Sequence, residues 1–445
     1  MHVTELIRKK REGLEFEPEE LKNLVKGFLA GTVRDYQISA WLMAVYFKGL
    51  TPRETELLTE LMWHSGSTLP RGHRNDYWID KHSTGGVGDK TSLIMVPLVS
   101  CVCRRLLGRG QVKIPMVSGR ALGHSGGTLD KLESVPGFRS ALSLNESLNL
   151  LQKNGFFMMG QTDEIAPLDR ILYALRDATS TVENLSLIVS SIMSKKLSEN
   201  LDGIIFDVKF GSGAFTLSRE DACALASALV NVSRRHHLDA VALISRMDEP
   251  LGSKVGNHLE IEECADFLRG NVREEGLAEV VLSLSSQMVS LASRRKIPVA
   301  EAYNECLREL EVRDVFDTFK RMFTAQGGDW DAFERNERRL RSELKTFSYP
   351  SPQTGYISGI NARWMGVLLN ELGGGRATKE EVIDSRVGME FLKKVGDSIR
   401  EGEEIVRVYY KNVVQQEMIE SAMRNAVSIS RETVEKSPWI VECLA

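Results

Sequence analysis

Scarcity frames the first reading of this 445-residue chain. It has only six cysteines, at 101, 103, 223, 264, 306 and 443, and no C-x-x-C pair. That is few for a chain this long, and leaves the buried or reduced thiols of a cytoplasmic protein as the expectation. No run of about eighteen apolar residues occurs, so no membrane span is expected. The opening "MHVTELIRKKREGLEFEPEEL" lacks the apolar centre of a signal peptide. Neither sign of charge dominates: 57 basic against 61 acidic residues give a net charge of −4. Neither nucleic acid nor an anionic membrane is therefore an expected partner.

Two familiar phosphate loops are absent as well. The stretch "DKHSTGGVGDKTSL", residues 80 to 93, follows an apolar "YWI" and precedes "LIMVPLVS". A Walker loop needs Gly before Lys, and here Asp89 separates Gly88 from Lys90. A dinucleotide fingerprint needs a third glycine where Thr91 stands. What is there still suits an anion. Glycines let backbone approach closely, a helix N-terminus offers N–H groups, and Lys81, Ser83 and Ser92 add a charge and two hydroxyls.

A second run, "MVSGRALGHSGGTLDKLESVPGF" at 116–138, follows the strand-like "KIPMV". Two such loops leaving one parallel sheet converge at its carboxyl edge, which brings Ser118 and Thr128 towards the same small anion, inorganic phosphate. A third segment, "LYALRDATSTVENLSLIVSSIMSKKL", carries Arg176, Ser191 and Lys195, the last two spaced i,i+4 on one helical face. By residue type alone it reads as a solvated helix rather than a site. Lys196 reads as a surface lysine.

The first 66 residues have helical texture, with Thr51, Pro52 and Glu54 forming a capping box. From "DYWID" onward, β-rich runs alternate with helical ones, which predicts an α/β domain with a mostly parallel sheet. A charged helical region follows from about 257 to 345. The tail "VGMEFLKKVGDSIREGEEIVRVYY" has the rhythm of a barrel-sandwich module. Lys393 and Lys394 there lie outside a Met-Lys-Met tip, so the expectation is a structural module without cofactor.

Taken together, "KHSTGGVGDKTSL", "SGRALGHSGGTLDKLESVPGF", "YALRDATSTV" and "SKKLSENLDGIIFDVKFGSGAF" resemble the thymidine phosphorylase and pyrimidine-nucleoside phosphorylase family, in order and spacing, over nearly the whole chain. The resemblance implies an α/β fold class: a small all-helical domain (1–66 and 164–197), a large α/β domain (67–163 and 198–345) and a β-rich C-terminal module (346–445). It implies a cleft between the first two, a homodimer, and reversible phosphorolysis of thymidine to thymine and 2-deoxy-α-D-ribose 1-phosphate. Phosphate is the co-substrate and no cofactor is required.

Position by position, Lys81, Ser83, Ser92, Ser118 and Thr128 resemble the phosphate ligands. His82, Arg176, Ser191 and Lys195 resemble the pyrimidine ligands, with His82, Arg176 and Lys195 as the catalytic set. Family members that accept uridine resemble one another in having Lys before the "xSGR" stretch; this chain has Met116, which favours deoxyribose. Some members hold potassium. The matching positions are Gly88, Lys90, Leu251, Lys254 and Glu263, where either a potassium ion or a lysine ammonium fills the place. Ala121 replaces a common glycine, a strain if that backbone needs positive φ.

Three rival readings stand beside this one. A broader phosphorylase would also take uridine. A phosphoribosyltransferase would need acidic residues for magnesium. A non-catalytic binding or signalling protein should have lost some of Lys81, Arg176 or Lys195, and all three are present.

Overall fold

The computed structural model describes residues 2–71, 75–121, 123–335, 343–376, 381–412 and 415–445. Four helices come first: α1 (Val3–Arg11), α2 (Pro18–Leu29), α3 (Asp35–Lys48) and α4 (Pro52–Trp63). Thr51 caps α4 as expected, its hydroxyl accepting the Glu54 N–H while the Glu54 carboxylate accepts the Thr51 N–H. The same carboxylate takes the buried Lys10 ammonium at 2.7 Å and the Phe16 N–H at 2.8 Å, so one cap also locks α1 onto the bundle.

The chain then builds β1 (Tyr77–Ser83), α5 (Thr91–Leu107), β2 (Val112–Ser118), α6 (Thr128–Leu132), α7 (Leu144–Asn154) and β3 (Phe156–Gly160). It returns to the bundle with α8 (Pro167–Ala178) and α9 (Leu185–Ser198), whose Leu168, Leu172 and Leu187 share one apolar cluster with Leu21, Trp41 and Leu58. Next come β4 (Gly203–Phe210), α10 (Arg219–Arg235), β5 (Asp239–Arg246), β6 (Lys254–Val255), α11 (Asn257–Arg269), α12 (Glu275–Ala292), α13 (Val299–Glu309) and α14 (Arg313–Thr324). The rest is β7 (Lys345–Pro350), β8 (Gly355–Ile360), α15 (Ala362–Glu371), β9 (Gly388–Phe391), β10 (Ser398–Ile399), β11 (Glu404–Tyr410), α16 (Gln415–Ala426), β12 (Val427–Ser430) and β13 (Ile440–Leu444).

The large sheet runs β13-β5-β4-β1-β2-β3, parallel throughout except for β13. Its strands are apolar on both faces because both are covered. Ile79 and Ile205 face the α5–α12 side, while Ile204, Phe206 and Val208 pack with α9 and α10. Two features of the tail were not foreseen from sequence. β13 leaves the C-terminal module and pairs with β5, and β6 crosses the other way to pair with β9. Each of the two units therefore lends the other a strand.

Candidate active site

β1 lies at the switch point of the sheet: the chain leaves it towards β2 on one side and leaves neighbouring β4 towards β5 on the other. Such points open a crevice at the carboxyl ends of the strands. Into it β1 brings Lys81 and Ser83, and β4 brings Asp207 and Lys209. Buried Lys81 reaches the Thr91 hydroxyl at 2.7 Å and the Ser92 hydroxyl at 3.5 Å, both in the first turn of α5. Asp89 accepts the Ser83 hydroxyl at 2.5 Å and the Thr91 hydroxyl at 2.7 Å. Behind them Lys209 pairs with Asp207 at 2.8 Å, and Asp207 also accepts the Ser245 hydroxyl at 2.6 Å.

Burial opposes the charge on Asp89, but Lys209, Lys81 and Lys131 outweigh it and hold this carboxyl well below its ordinary range. Asp89, Asp207 and Lys209 were not singled out as site residues. Their signal was present: "FDVKF" places an acid and a base two apart, on one side of an otherwise apolar strand, at its carboxyl end.

The glycines of the first loop have a steric reason. Gly88 has φ +75°, and a Cβ there would stand 2.5 Å from the Leu251 carbonyl oxygen. The second loop touches the first through the Gly126 N–H and the Gly86 carbonyl at 3.3 Å, and Lys131 donates to the Asp89 carbonyl at 2.6 Å. Ser118 ends β2 and Thr128 begins α6, on the two shoulders of that loop. Neither hydrogen-bonds the first loop among the described residues. Ala121 is free of the feared strain, because its φ is not positive. The constraint falls on Gly127, where a Cβ would meet the Ala121 nitrogen at 2.1 Å.

On the helical side, α9 places the Lys195 ammonium 2.9 Å from the Ser191 hydroxyl, as the i,i+4 spacing requires. Asp169 on α8 takes the same ammonium at 2.6 Å. Burial lowers the Lys195 pKa, with Asp169 acting against that shift. Asp169 was missed in the sequence, although it precedes Arg176 by two helical turns on the buried face of α8. Arg176 is 1% exposed. Its guanidinium donates to the carbonyls of Thr181, Leu187 and Val182, at 3.5, 3.2 and 2.7 Å. Its donor fork is larger than those bonds consume, so N–H groups remain for a ligand. Met116 lies on β2 in the main apolar cluster, 1% exposed.

The expectations of a surface Lys196 and of a solvated third segment need correction. Lys196 is 1% exposed and donates to Asp80 at 2.5 Å, Glu199 at 2.7 Å and the Val117 carbonyl at 3.0 Å. Helix α9 is buried on nearly every side, between the bundle and the sheet.

Of the five positions matched to a potassium shell, Leu251, Lys254 and Glu263 converge on the side-chain ammonium of a fourth, Lys90, while no bond from Gly88 joins them among the described residues. The Lys90 ammonium lies 2.8 Å from the Leu251 carbonyl, 2.9 Å from the Lys254 carbonyl and 2.7 Å from the Glu263 carboxylate. The donor set present therefore does not fit a potassium ion, because a cation already occupies its centre.

His82 lies between the two groups of residues. Burial drives its pKa well below the ordinary histidine value, and Lys196, Lys195 and Lys81 add to the shift, so the imidazole is neutral at pH 7. Below about pH 6.5 the unfolded chain binds a proton at this histidine that the folded chain refuses, so stability falls as pH drops through that value. Urea unfolding between about pH 5 and pH 7 should show that slope, and His82→Gln should flatten it. An unchanged slope in the variant would show that His82 is not the group responsible.

Three family models match the chain. The glycosyl transferase family a/b domain covers residues 75–309, and the helical bundle domain of the same family covers 4–66. The pyrimidine nucleoside phosphorylase C-terminal domain covers 356–430. The chain is 40% identical over 438 residues to the pyrimidine-nucleoside phosphorylase of Geobacillus stearothermophilus, spanning 98% of this chain and 99% of that one. It is 39% identical over 448 residues to the pyrimidine-nucleoside phosphorylase of Bacillus subtilis (strain 168), spanning 100% and 99%. Among solved structures, anthranilate phosphoribosyltransferase (TrpD) from Thermus thermophilus matches with a TM-score of 0.55 at 16% identity, over 72% of this chain and 98% of that one. That likeness concerns the fold alone.

Proposed function

Since the chain belongs to the pyrimidine-nucleoside phosphorylase family, we propose that it cleaves thymidine and deoxyuridine reversibly with inorganic phosphate, in nucleoside salvage. The products are the free base and 2-deoxy-α-D-ribose 1-phosphate. The observation that carries this reading is the pairing of two unlike groups of side chains: an anion cradle on β1 and α5, and a cationic clamp of Arg176 and Lys195 on α8 and α9.

In the proposed reaction Lys81, Ser83, Ser92, Ser118 and Thr128 hold the phosphate. Ser83 turns its hydroxyl from Asp89 to the anion as it binds. A phosphate oxygen forms the new bond to C1′ while the C1′–N1 bond breaks, and the electron pair leaves with the base. Arg176, Ser191 and Lys195 hydrogen-bond the pyrimidine edge and stabilise that negative charge, which is where electrostatic catalysis has most effect. Neutral His82 donates to O2. Closure of the cleft excludes water that would otherwise capture the sugar cation.

Met116 supports deoxyribose over ribose, since a thioether pairs poorly with a buried 2′-hydroxyl. The names of the relatives favour the broader reading that includes uridine. Thymine release from thymidine should require phosphate, and kcat/KM for uridine should fall roughly ten- to a hundredfold below that for deoxyuridine, from about 1–3 kcal/mol of unpaired hydroxyl. Equal rates for the two would establish the broader substrate range. Failure to release thymine would leave the binding or signalling reading.

We place the chain in the cytoplasm as a homodimer, without nucleic acid or membrane partners. No helix among the described residues is long and apolar enough to cross a membrane. The dimer is supported by α3, whose outward residues Tyr36, Ala40, Met43 and Phe47 follow helical spacing and leave Tyr36 73% and Phe47 74% exposed. Sedimentation velocity reads that state directly.

A further inference from the structure

We propose that the Lys90 ammonium is a permanent, covalently tethered replacement for a bound monovalent cation, and that it fixes the phosphate loop without potassium. An ammonium group is close to potassium in size and equal to it in charge. It carries three N–H donors, and here three oxygens receive them: Leu251 O, Lys254 O and a Glu263 carboxylate oxygen. The side chain is fully enclosed.

The receiving shell is rigid. Glu263 is held by the Ser253 N–H at 2.6 Å and the Lys254 N–H at 2.9 Å, so its carboxylate does not need the lysine to keep its place. Gly252 has φ +78°, and a Cβ there would stand 2.7 Å from both the Lys90 nitrogen and a Glu263 oxygen, so the shell closes tightly around the ammonium. Burial opposes the lysine charge, but Glu263 and Glu260 more than restore it.

The remaining carbonyls of this turn are also engaged by a lysine. Lys394, from the C-terminal module, donates to Pro250 O at 2.5 Å and Gly252 O at 3.0 Å, and lies 3.3 Å from Glu249. The carbonyls of 250, 251, 252 and 254 are thus all taken by two ammonium groups from distant parts of the chain. Lys254's own ammonium points elsewhere, towards Glu262 and Asp266. A potassium ion would have to expel Lys90 or share one carboxylate with it, against like-charge repulsion.

The purpose of the shell follows from what it joins. Lys90 directly follows Asp89 and precedes Thr91 and Ser92, so its side chain ties the start of α5 to the 251–254 turn and to α11. Val87 O accepting the Leu251 N–H at 3.1 Å is the second tie. A cation supplied by the chain is present at any salt composition, so the anion cradle stays formed in the absence of potassium.

The test compares melting temperatures and thallium(I) anomalous scattering for the whole protein, in potassium, sodium and choline chloride at matched ionic strength. The wild type should melt at the same temperature in all three salts and show no thallium peak among Leu251, Lys254 and Glu263. Lys90→Ser should melt roughly 5 °C or more lower in choline chloride, recover most of that loss in potassium chloride, and show the peak. Potassium-specific stabilisation of the wild type, or a thallium peak there, overturns the proposal even if the variant fails to fold. A folded Lys90→Ser variant equally weakened in every salt overturns it as well, since the shell would then not be a cation site.

Discussion

Arg176→Ala should lower kcat/KM for thymidine by roughly a hundredfold or more while leaving the phosphate dependence nearly intact. Two charge-assisted hydrogen bonds to the departing base are worth about 3 kcal/mol, which is that factor in rate. The same variant should also be less stable, because it removes the bonds by which the buried guanidinium ties α8 to the carbonyls of Thr181 and Val182 and to that of Leu187 in α9. A hydrogen bond from a charged group contributes about 1.5–3 kcal/mol. Steady-state kinetics and urea unfolding on the same preparation separate the two effects. Arg176→Lys keeps a charge but loses the planar fork, and should recover only part of either. Near-normal thymidine kinetics in Arg176→Ala would remove the residue from the site.

The second large effect is expected at Lys196, which contacts no substrate in the proposed reaction. Lys196→Met leaves Asp80 and Glu199 enclosed side by side without their counter-charge. Removing one member of a buried ion cluster costs about 3–5 kcal/mol. Burial already raises the Glu199 carboxyl well above its ordinary range, with Lys196 acting to lower it and Asp80 to raise it. Without the lysine the folded state holds its protons more tightly than the unfolded chain does. Its stability therefore declines as pH rises above the ordinary carboxyl value, and the defect should be larger at about pH 8 than at about pH 5.5. Denaturation midpoints at those two pH values are the measurement. A loss under about 1 kcal/mol at both would mean that Lys196 is solvated after all.

How much of this was legible in the sequence differs by region, for physical reasons. The strands of the large sheet stood out because parallel strands covered on both faces are short apolar runs bounded by glycine and polar loops. The two anion loops stood out because close backbone contacts tolerate only glycine, as Gly88 and Gly127 show. Helix α9 misled because its serines resemble a wet face. They are dry: Ser190 bonds the Thr55 carbonyl, Ser194 that of Ser191 and Ser198 that of Ser194. A hydroxyl that turns back onto backbone satisfies itself without water. Neighbouring Lys195 and Lys196 then point to different buried partners, and nothing in the string "SKKL" separates a substrate clamp from a structural ion. The strands β6 and β13 were illegible for another reason. Their partners lie far along the chain, and local pattern carries no record of which distant edge a short strand will join.

That exchange of strands has a mechanical consequence. The sheet of the C-terminal module holds β6 of the α/β body, and the module's last strand, β13, is hydrogen-bonded into the body. Sliding one past the other would break both ladders at once, so these two units behave as a single stator. The helical bundle is joined to it through the chain at 64–69, 161–166 and 199–202, with no strand shared between them among the described residues. In the proposed closure of the cleft, the bundle swings as one lever against one fixed frame. Lys196, near the root of α9 and bonded to β1 and the β2 carbonyl, sits at the pivot rather than at the moving tip.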